Sequence, residues 1–246
     1  LEHAAYSICH LKESEVLLVG NATGGIHVVD LAAMSEMRLL QNHTQPVFDI
    51  LHVPHSHLLL SVAADGTLCA TDTRTWQCTH VLRLTSSKVR GLALSPDAAE
   101  VAVACGDGAV RLLRIADMAP IGELRAADAS VNAVAFLPDG HTLVCGDKDA
   151  HLHVWDLRTG LLQQSIAAHN YAIYHLALSP DGRLLASASR DRTVKLWDAA
   201  TLQPVRRMDQ RKYGGHTHSV NRLLWVDDHR LLSTGDDRSI IIWGVD

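Results

Sequence analysis

The chain has 246 residues, 47% hydrophobic and 20% charged, enough apolar material for a sizeable core in one large or two small domains. Aromatic residues make up only 4%, so that core rests on Leu, Val, Ile and Ala, the small and β-branched side chains that suit stacked sheets. The formal net charge of −5, with no long block of like charge, excludes the basic footprint that phosphate backbones demand; no run reaches the ~18 apolar residues of a membrane span, and Leu1-Glu2-His3 opens no export signal.

Along the chain one short segment recurs. Gly25–Asp30 is followed by Thr67–Asp72, Ala109–Arg114, His151–Asp156 and Thr193–Asp198, whose fifth positions (Val29, Thr71, Leu113, Trp155 and Trp197) lie 42 residues apart each time. A sixth copy, Ser239–Gly244, comes 46 residues after the fifth, because five residues are gained near Arg211–Gly215 and one is lost before Asp237. In the fifth unit, alternating segments at Ile173–Leu178, Leu184–Ser189 and Val194–Trp197 are separated by Ser179-Pro180-Asp181-Gly182 and Arg190–Arg192, which predicts three strands, a, b and c, joined by turns. A fourth strand, d, is predicted at Leu162–Ala167 and its counterparts. Each unit is then a small antiparallel sheet that cannot shield both of its faces alone, and four strands in ~40–45 residues is the spacing of propeller blades. The repeats run about 1–42, 43–84, 85–126, 127–168, 169–215 and 216–246, and residues 1–246 are expected to form one all-β domain.

Trp155-Asp156 and Trp197-Asp198, preceded by Lys148-Asp149 and by Ser187–Asp191, together with Gly215-His216 at the head of the last unit, resemble the WD40-repeat family. The match spans the chain; it is close in the last three units and weaker in the first three, where Val29, Thr71 and Leu113 hold the Trp position. The resemblance implies a WD40 β-propeller of four-stranded antiparallel blades, with six repeats present. Six a-b-c triplets stand against five d strands, with only Leu1–Ala4 ahead of the first strand. This count predicts a seven-bladed ring whose N-terminal blade, roughly 45–50 residues, precedes Leu1; a self-contained ring of six blades is the other reading.

His169, Ser187, Asp191 and Trp197 recur at matching intervals as His216, Ser233, Asp237 and Trp243. Ser, His and Asp together suggest a hydrolase triad, but a triad is needed once and beside an oxyanion hole, whereas this set repeats from unit to unit. The resemblance implies instead the structural tetrad of WD40 blades: Asp holds His, His bonds the Ser hydroxyl, and the hydroxyl takes the indole N–H. The second unit keeps His43, Ser61 and Asp65 with Thr71 in place of Trp, so its network should be shorter.

Strand a begins after Ala5, Val47, Val89, Val131, Ile173 and Val220, and the next residues are Tyr6, Phe48, Arg90, Asn132, Tyr174 and Asn221. Period-2 alternation places these six apart from their apolar neighbours. In the WD40 family that strand end faces the channel mouth, so the resemblance makes them a partner-binding rim, with Lys148, Tyr171, Arg190 and His218 beside them. The inserted Lys212 and Tyr213 enlarge a d–a loop on the same rim. Trp76 is placed in a c–d turn at the opposite end, either as a second contact face or folded over a neighbouring blade, and Trp225 is placed in the core.

The histidine pairs His55/His57, His151/His153 and His216/His218 lack the third ligand that zinc requires, and the Gly24-Gly25 and Gly214-Gly215 pairs form no phosphate loop, so neither metal nor cofactor is expected. Five cysteines, odd in number and mostly inside apolar runs, read as reduced thiols of a cytoplasmic protein. The expected function is a non-enzymatic scaffold for a protein or peptide partner, without nucleic acid or membrane, and with edge-strand pairing if the first blade is missing. The alternative is a propeller that binds a ligand or substrate in a central cavity.

Overall fold

In the computed structural model, which describes residues 3–11, 14–125 and 128–245, the alternating segments are strands paired antiparallel with their chain neighbours. The first sheet contains β1 (Ala5–Leu11), β2 (Val16–Asn21), β3 (Ile26–Asp30) and β4 (Ser35–Leu40). The second contains β5 (Val47–His52), β6 (Leu58–Ala63), β7 (Thr67–Asp72) and β8 (Gln77–Arg83). The third contains β9 (Val89–Leu94), β10 (Glu100–Cys105), β11 (Ala109–Arg114) and β12 (Pro120–Arg125). The fourth contains β13 (Val131–Phe136), β14 (Thr142–Asp147), β15 (His151–Asp156) and β16 (Leu161–Ala167). The fifth contains β17 (Ile173–Leu178), β18 (Leu184–Ser189), β19 (Val194–Asp198) and β20 (Pro204–Met208). A one-turn helix, α1 (Gln210–Tyr213), leads into the sixth sheet, β21 (Val220–Asp227), β22 (Arg230–Gly235) and β23 (Ile240–Gly244), which has three strands among the described residues. Each four-stranded sheet is the meander of a propeller blade.

The chain divides into two compact units, Leu1–Glu123 and Leu124–Asp246. In the first, Leu18, Ile26, Val28, Val47, Ile50 and Leu59 fill the space between the first and second sheets. Leu60, Leu68, Val89, Val101 and Val103 do the same between the second and third. In the second unit, Val144, Leu152, Ile173, Leu176, Leu185 and Trp197 pack the fourth sheet on the fifth, and Leu196, Met208, Val220, Leu223, Trp225 and Trp243 pack the fifth on the sixth. Burying such side chains is worth about 1.5–3 kcal/mol each, so a blade gains its stability from its neighbours.

Turn chemistry repeats with the period. The b–c turn places one residue in the left-handed region at Gly24, Gly66, Gly108, Ala150, Arg192 and Arg238, with φ between 62° and 96°. At Gly66 a Cβ would lie 2.1 Å from the Thr85 carbonyl oxygen, so only glycine fits. The second unit accepts Ala and Arg at that register at a cost of about 1–2 kcal/mol each. The five-residue gain, expected as a longer loop, is instead α1: Asp209 accepts the Lys212 N–H as N-cap, and Gly214 closes the turn at φ 67°. No helix among the described residues is long and apolar enough to cross a membrane.

Candidate functional site

Every strand a breaks register after its first pair. Ala5 faces Asn21 and Ser7 faces Gly20; Val47 faces Ala63 and Asp49 faces Val62; Val89 faces Cys105 and Gly91 faces Ala104. Val131 and Ala133 face Asp147 and Gly146, Ile173 and His175 face Ser189 and Ala188, and Val220 and Arg222 face Gly235 and Thr234. One residue is left over at each break: Tyr6, Phe48, Arg90, Asn132, Tyr174 and Asn221. These are the six positions named from the sequence as rim candidates, but strict alternation does not set them apart from the ladder. A β-bulge does, and bulges re-aim the extra side chain where pairing stops.

In the first unit the bulged side chains of three successive sheets meet. Tyr6 stands edge-on to Phe48 with ring centroids 5.7 Å apart, and the Arg90 guanidinium carbon lies 5.1 Å from the Phe48 centroid. In the second unit they diverge. Asn132 is buried and donates to the Ile173 carbonyl at 3.0 Å, so it ties the fourth sheet to the fifth; this corrects its expected place on the open rim. Tyr174 is half-buried, and Asn221 donates to Asp236 at 2.6 Å. Tyr171, 60% exposed, lies under the Arg190 guanidinium at 5.9 Å, and Lys212 sits over Tyr213 at 5.1 Å. Lys148 and His218 are exposed on the flanking loops.

The residue after the bulge also has a task that sequence reading missed. The Ser7 hydroxyl donates to the Val47 carbonyl, Asp49 accepts the Leu92 N–H, and His175 Nδ1 accepts the Leu223 N–H at 3.3 Å. Each bond fastens a strand a to the next sheet. A polar residue two places past the apolar start of strand a was the available signal.

Two four-residue chains are complete. Trp197 Nε1 donates to Ser187 Oγ at 2.9 Å, the Ser187 hydroxyl meets His169 Nε2 at 2.7 Å, and His169 Nδ1 meets Asp191 Oδ2 at 3.0 Å. The distances from Trp243 through Ser233 and His216 to Asp237 are 2.7, 2.7 and 3.0 Å. With the His169 imidazole neutral and its proton on Nδ1, every donor of its chain has an acceptor. Asp191 further accepts the Asn170 and Thr193 N–H groups, which pins the d–a loop to the b–c turn. Burial alone would raise the Asp191 pKa, but the His169 contact and the Thr193 hydroxyl hold it well below the usual carboxylate range. Burial lowers the pKa of His169 against the pull of Asp191. With Ser187 fully buried and its oxygen already bonded to both His and Trp, it is placed as a brace rather than as a nucleophile.

The other sheets depart from this pattern in ways their sequences explain. In the second, His43 reaches Ser61 at 2.8 Å and Thr67 at 2.9 Å, while Asp65 lies 3.5 Å away; Thr71 instead accepts from Asn42. In the fourth, Cys145 occupies the serine position, and Trp155 Nε1 is buried with no hydrogen-bond partner among the described residues. Burial pushes the Cys145 thiol up to about 12, and a neutral thiol is a weak acceptor. That sheet carries a different chain, Asp147–His153–Ser165 at 3.0 and 3.1 Å, and the first sheet has its counterpart, Asn21–His27–Glu36 at 3.0 and 3.1 Å.

His153 and His216 are therefore buried parts of polar chains rather than solvated histidines. Among the described residues no three His, Cys, Asp or Glu side chains converge in a way that would hold a metal ion. All five cysteines are free, with Cys69, Cys105 and Cys145 buried. Trp76 packs against the cluster between the first and second sheets, and Trp225 is buried with its indole donating to the Ala177 carbonyl at 3.1 Å.

The family model "WD domain, G-beta repeat" matches residues 34–72, 76–113, 118–156, 160–198 and 208–244. The guanine nucleotide-binding protein subunit beta of Solanum tuberosum is 27% identical over 210 residues, covering 81% of this chain and 56% of its own length. The corresponding Zea mays subunit is 26% identical over 210 residues, with 81% and 55% covered, and transducin beta-like protein 3 of Bos taurus is 29% identical over 119 residues, with 48% and 15% covered. The chain thus spans about half the length of the plant subunits it matches, at 56 and 55%. With its repeat register, its two complete polar chains and five matched stretches, this chain belongs to the WD40-repeat family.

Proposed function

We propose that this chain is a non-enzymatic platform that binds a protein or peptide partner through the loops at the strand-a ends of its sheets. The observation that carries this reading is the bulge repeated at all six strand-a starts, which keeps a side chain out of the ladder at the same place in every sheet. The rings and cations at these strand ends, Tyr6, Phe48 and Arg90 in the first unit and Tyr171, Tyr174 and Arg190 in the second, are of the types that dominate binding interfaces. The Ser, His and Asp side chains that suggest hydrolysis are committed to internal bonds. Likeness to subunits of guanine nucleotide-binding proteins agrees with a role as a member of an assembly. The five free thiols fit a cytoplasmic setting.

The test is affinity purification from the native cell with wild type, a Tyr174→Ala/Arg190→Ala variant and an Arg158→Ala/Arg183→Ala variant altered at the opposite strand ends. The first variant is expected to reduce recovery of at least one partner about tenfold while the second retains it. Survival of every co-purifying protein in the first variant contradicts the assignment.

A further inference from the structure

The two ends of the Leu124–Asp246 unit carry opposite charge towards solvent. At the strand-a end, the d–a and b–c loops expose Lys148, Arg190, Arg192, Arg211, Lys212 and Arg238, and none of these six is in an ion pair among the described residues. The acids on the same loops point inward or are engaged. The side chains of Asp191 and Asp237 are only 5% and 10% exposed and are bound to histidines, Asp209 caps α1 and lies 3.6 Å from Arg207, and Asp236 accepts from Asn221. Among the described residues Asp128, on the loop that leads into β13, and Asp149 are the two acids exposed there without such a bond, against the six cations. These loops share one end of the unit: Asn132 at the start of β13 reaches Ile173 at the start of β17, and the Arg190 N–H donates to the Ala172 carbonyl.

The opposite end reverses the arrangement. Asp139, Asp156, Asp181, Asp198, Asp227 and Asp228 lie on its turns, and the arginines present are tied down, Arg158 to Asp156 at 3.0 Å, Arg183 to Asp181 at 3.6 Å and Arg230 to Asp227 at 2.6 Å. Cations left unpaired on one end, while those on the other are neutralised, give the unit a directed field. Two of the rim cations, Arg192 and Arg238, also occupy left-handed backbone positions, φ 71° and 62°, where the first unit uses glycine. Charge is kept there against a backbone cost.

We propose that this rim takes an acidic peptide segment, rich in Asp and Glu, of a partner protein, with the arginines and lysines receiving its carboxylates and the exposed rings of Tyr171 and Tyr213 its apolar side chains; the inference rests on the rim-binding reading above and names its partner class. Arginine presents a planar fork that matches a carboxylate, and Arg190 is already steadied over Tyr171. A peptide fits better than a nucleic acid, because the chain's net charge of −5 opposes a long polyanion while a short acidic segment needs only the local cations.

The test is fluorescence anisotropy with the full chain and a fluorescein-labelled peptide alternating Asp and Glu around one Phe, beside its Asn/Gln counterpart and an oligothymidylate. Proteins are wild type, Arg190→Glu/Lys212→Glu, and Arg158→Glu/Arg183→Glu as the opposite-end control, each with its melting transition recorded. The acidic peptide is expected to bind, to weaken about tenfold or more in the rim variant, to be unchanged in the control, and to weaken with added salt. Equal binding of the amide peptide, equal loss in the control, tighter binding of the oligothymidylate, or no binding of the acidic peptide overturns the proposal. If the acidic peptide has no advantage but cellular partners are still lost from Tyr174→Ala/Arg190→Ala, the rim reading stands and the acidic one fails.

Discussion

His169→Ala is expected to lower the free energy of unfolding by about 1–3 kcal/mol, seen as a lower urea midpoint at unchanged slope. The side chain is buried between the Ser187 hydroxyl at 2.7 Å and the Asp191 carboxylate at 3.0 Å, and its removal orphans both. The tryptophans refine the expectation. Trp197→Phe removes a donor that Ser187 uses, whereas Trp155→Phe removes an N–H that has no partner among the described residues. Both lose similar volume, so Trp197→Phe should cost about 1 kcal/mol more than Trp155→Phe. Equal costs in the two variants would mean that the bond to Ser187 adds nothing.

Acidification from about pH 7.5 to about 5.5 is expected to remove about 2–3 kcal/mol of stability, measured by urea unfolding at each pH. Burial lowers the pKa of His43 and His169 from the ordinary value of 6.5, opposed by Asp65 and Asp191 respectively. Burial and then the Arg222 charge hold His175 lower still. That residue keeps some contact with solvent, so the bond its Nδ1 accepts from the Leu223 N–H, which protonation abolishes, is the firmer cause. For all three the unfolded chain binds the proton first, so stability is full above about 6.5 and falls as pH drops towards the folded values, by at most about 1.4 kcal/mol per pH unit for each group. The depressed carboxylates Asp65 and Asp191 act in a lower window, contributing fully above the ordinary carboxylate range and losing that contribution as pH falls through their folded values. A midpoint constant across the upper window would show that these histidines take up protons as readily in the folded chain as in the unfolded one.

The strands of the fifth sheet were legible because alternation and turn residues agree there: Ile173–Leu178 and Leu184–Ser189 are strands to the residue. The tetrads were legible because their members keep fixed intervals from a tryptophan. The bulges were not, since an extra residue between an apolar start and a mixed strand leaves the hydrophobic pattern readable in either register. Asn132 departs from the expected rim because its amide finds the Ile173 carbonyl of the next sheet within reach, a contact between sheets that the pattern of one strand does not show. The α1 turn carried its signals, Asp209 before it and Gly214 after it, but four residues are too few for a helical period to show. The Asp147–His153–Ser165 chain was hidden because its partners sit on three different strands, with a bulge between Val154 and Trp155 shifting the last of them.

The common register of the sheets is tested most directly by hydrogen exchange of the five indole N–H groups in a nitrogen-15 correlation spectrum, assigned with single Trp→Phe variants. The Trp197 and Trp243 signals should exchange slowly and to a similar degree, since each donates to a buried serine at 2.9 and 2.7 Å, while that of half-buried Trp76 exchanges quickly. Exchange of either Trp197 or Trp243 at the rate of Trp76 would contradict the shared architecture on which the rim assignment stands.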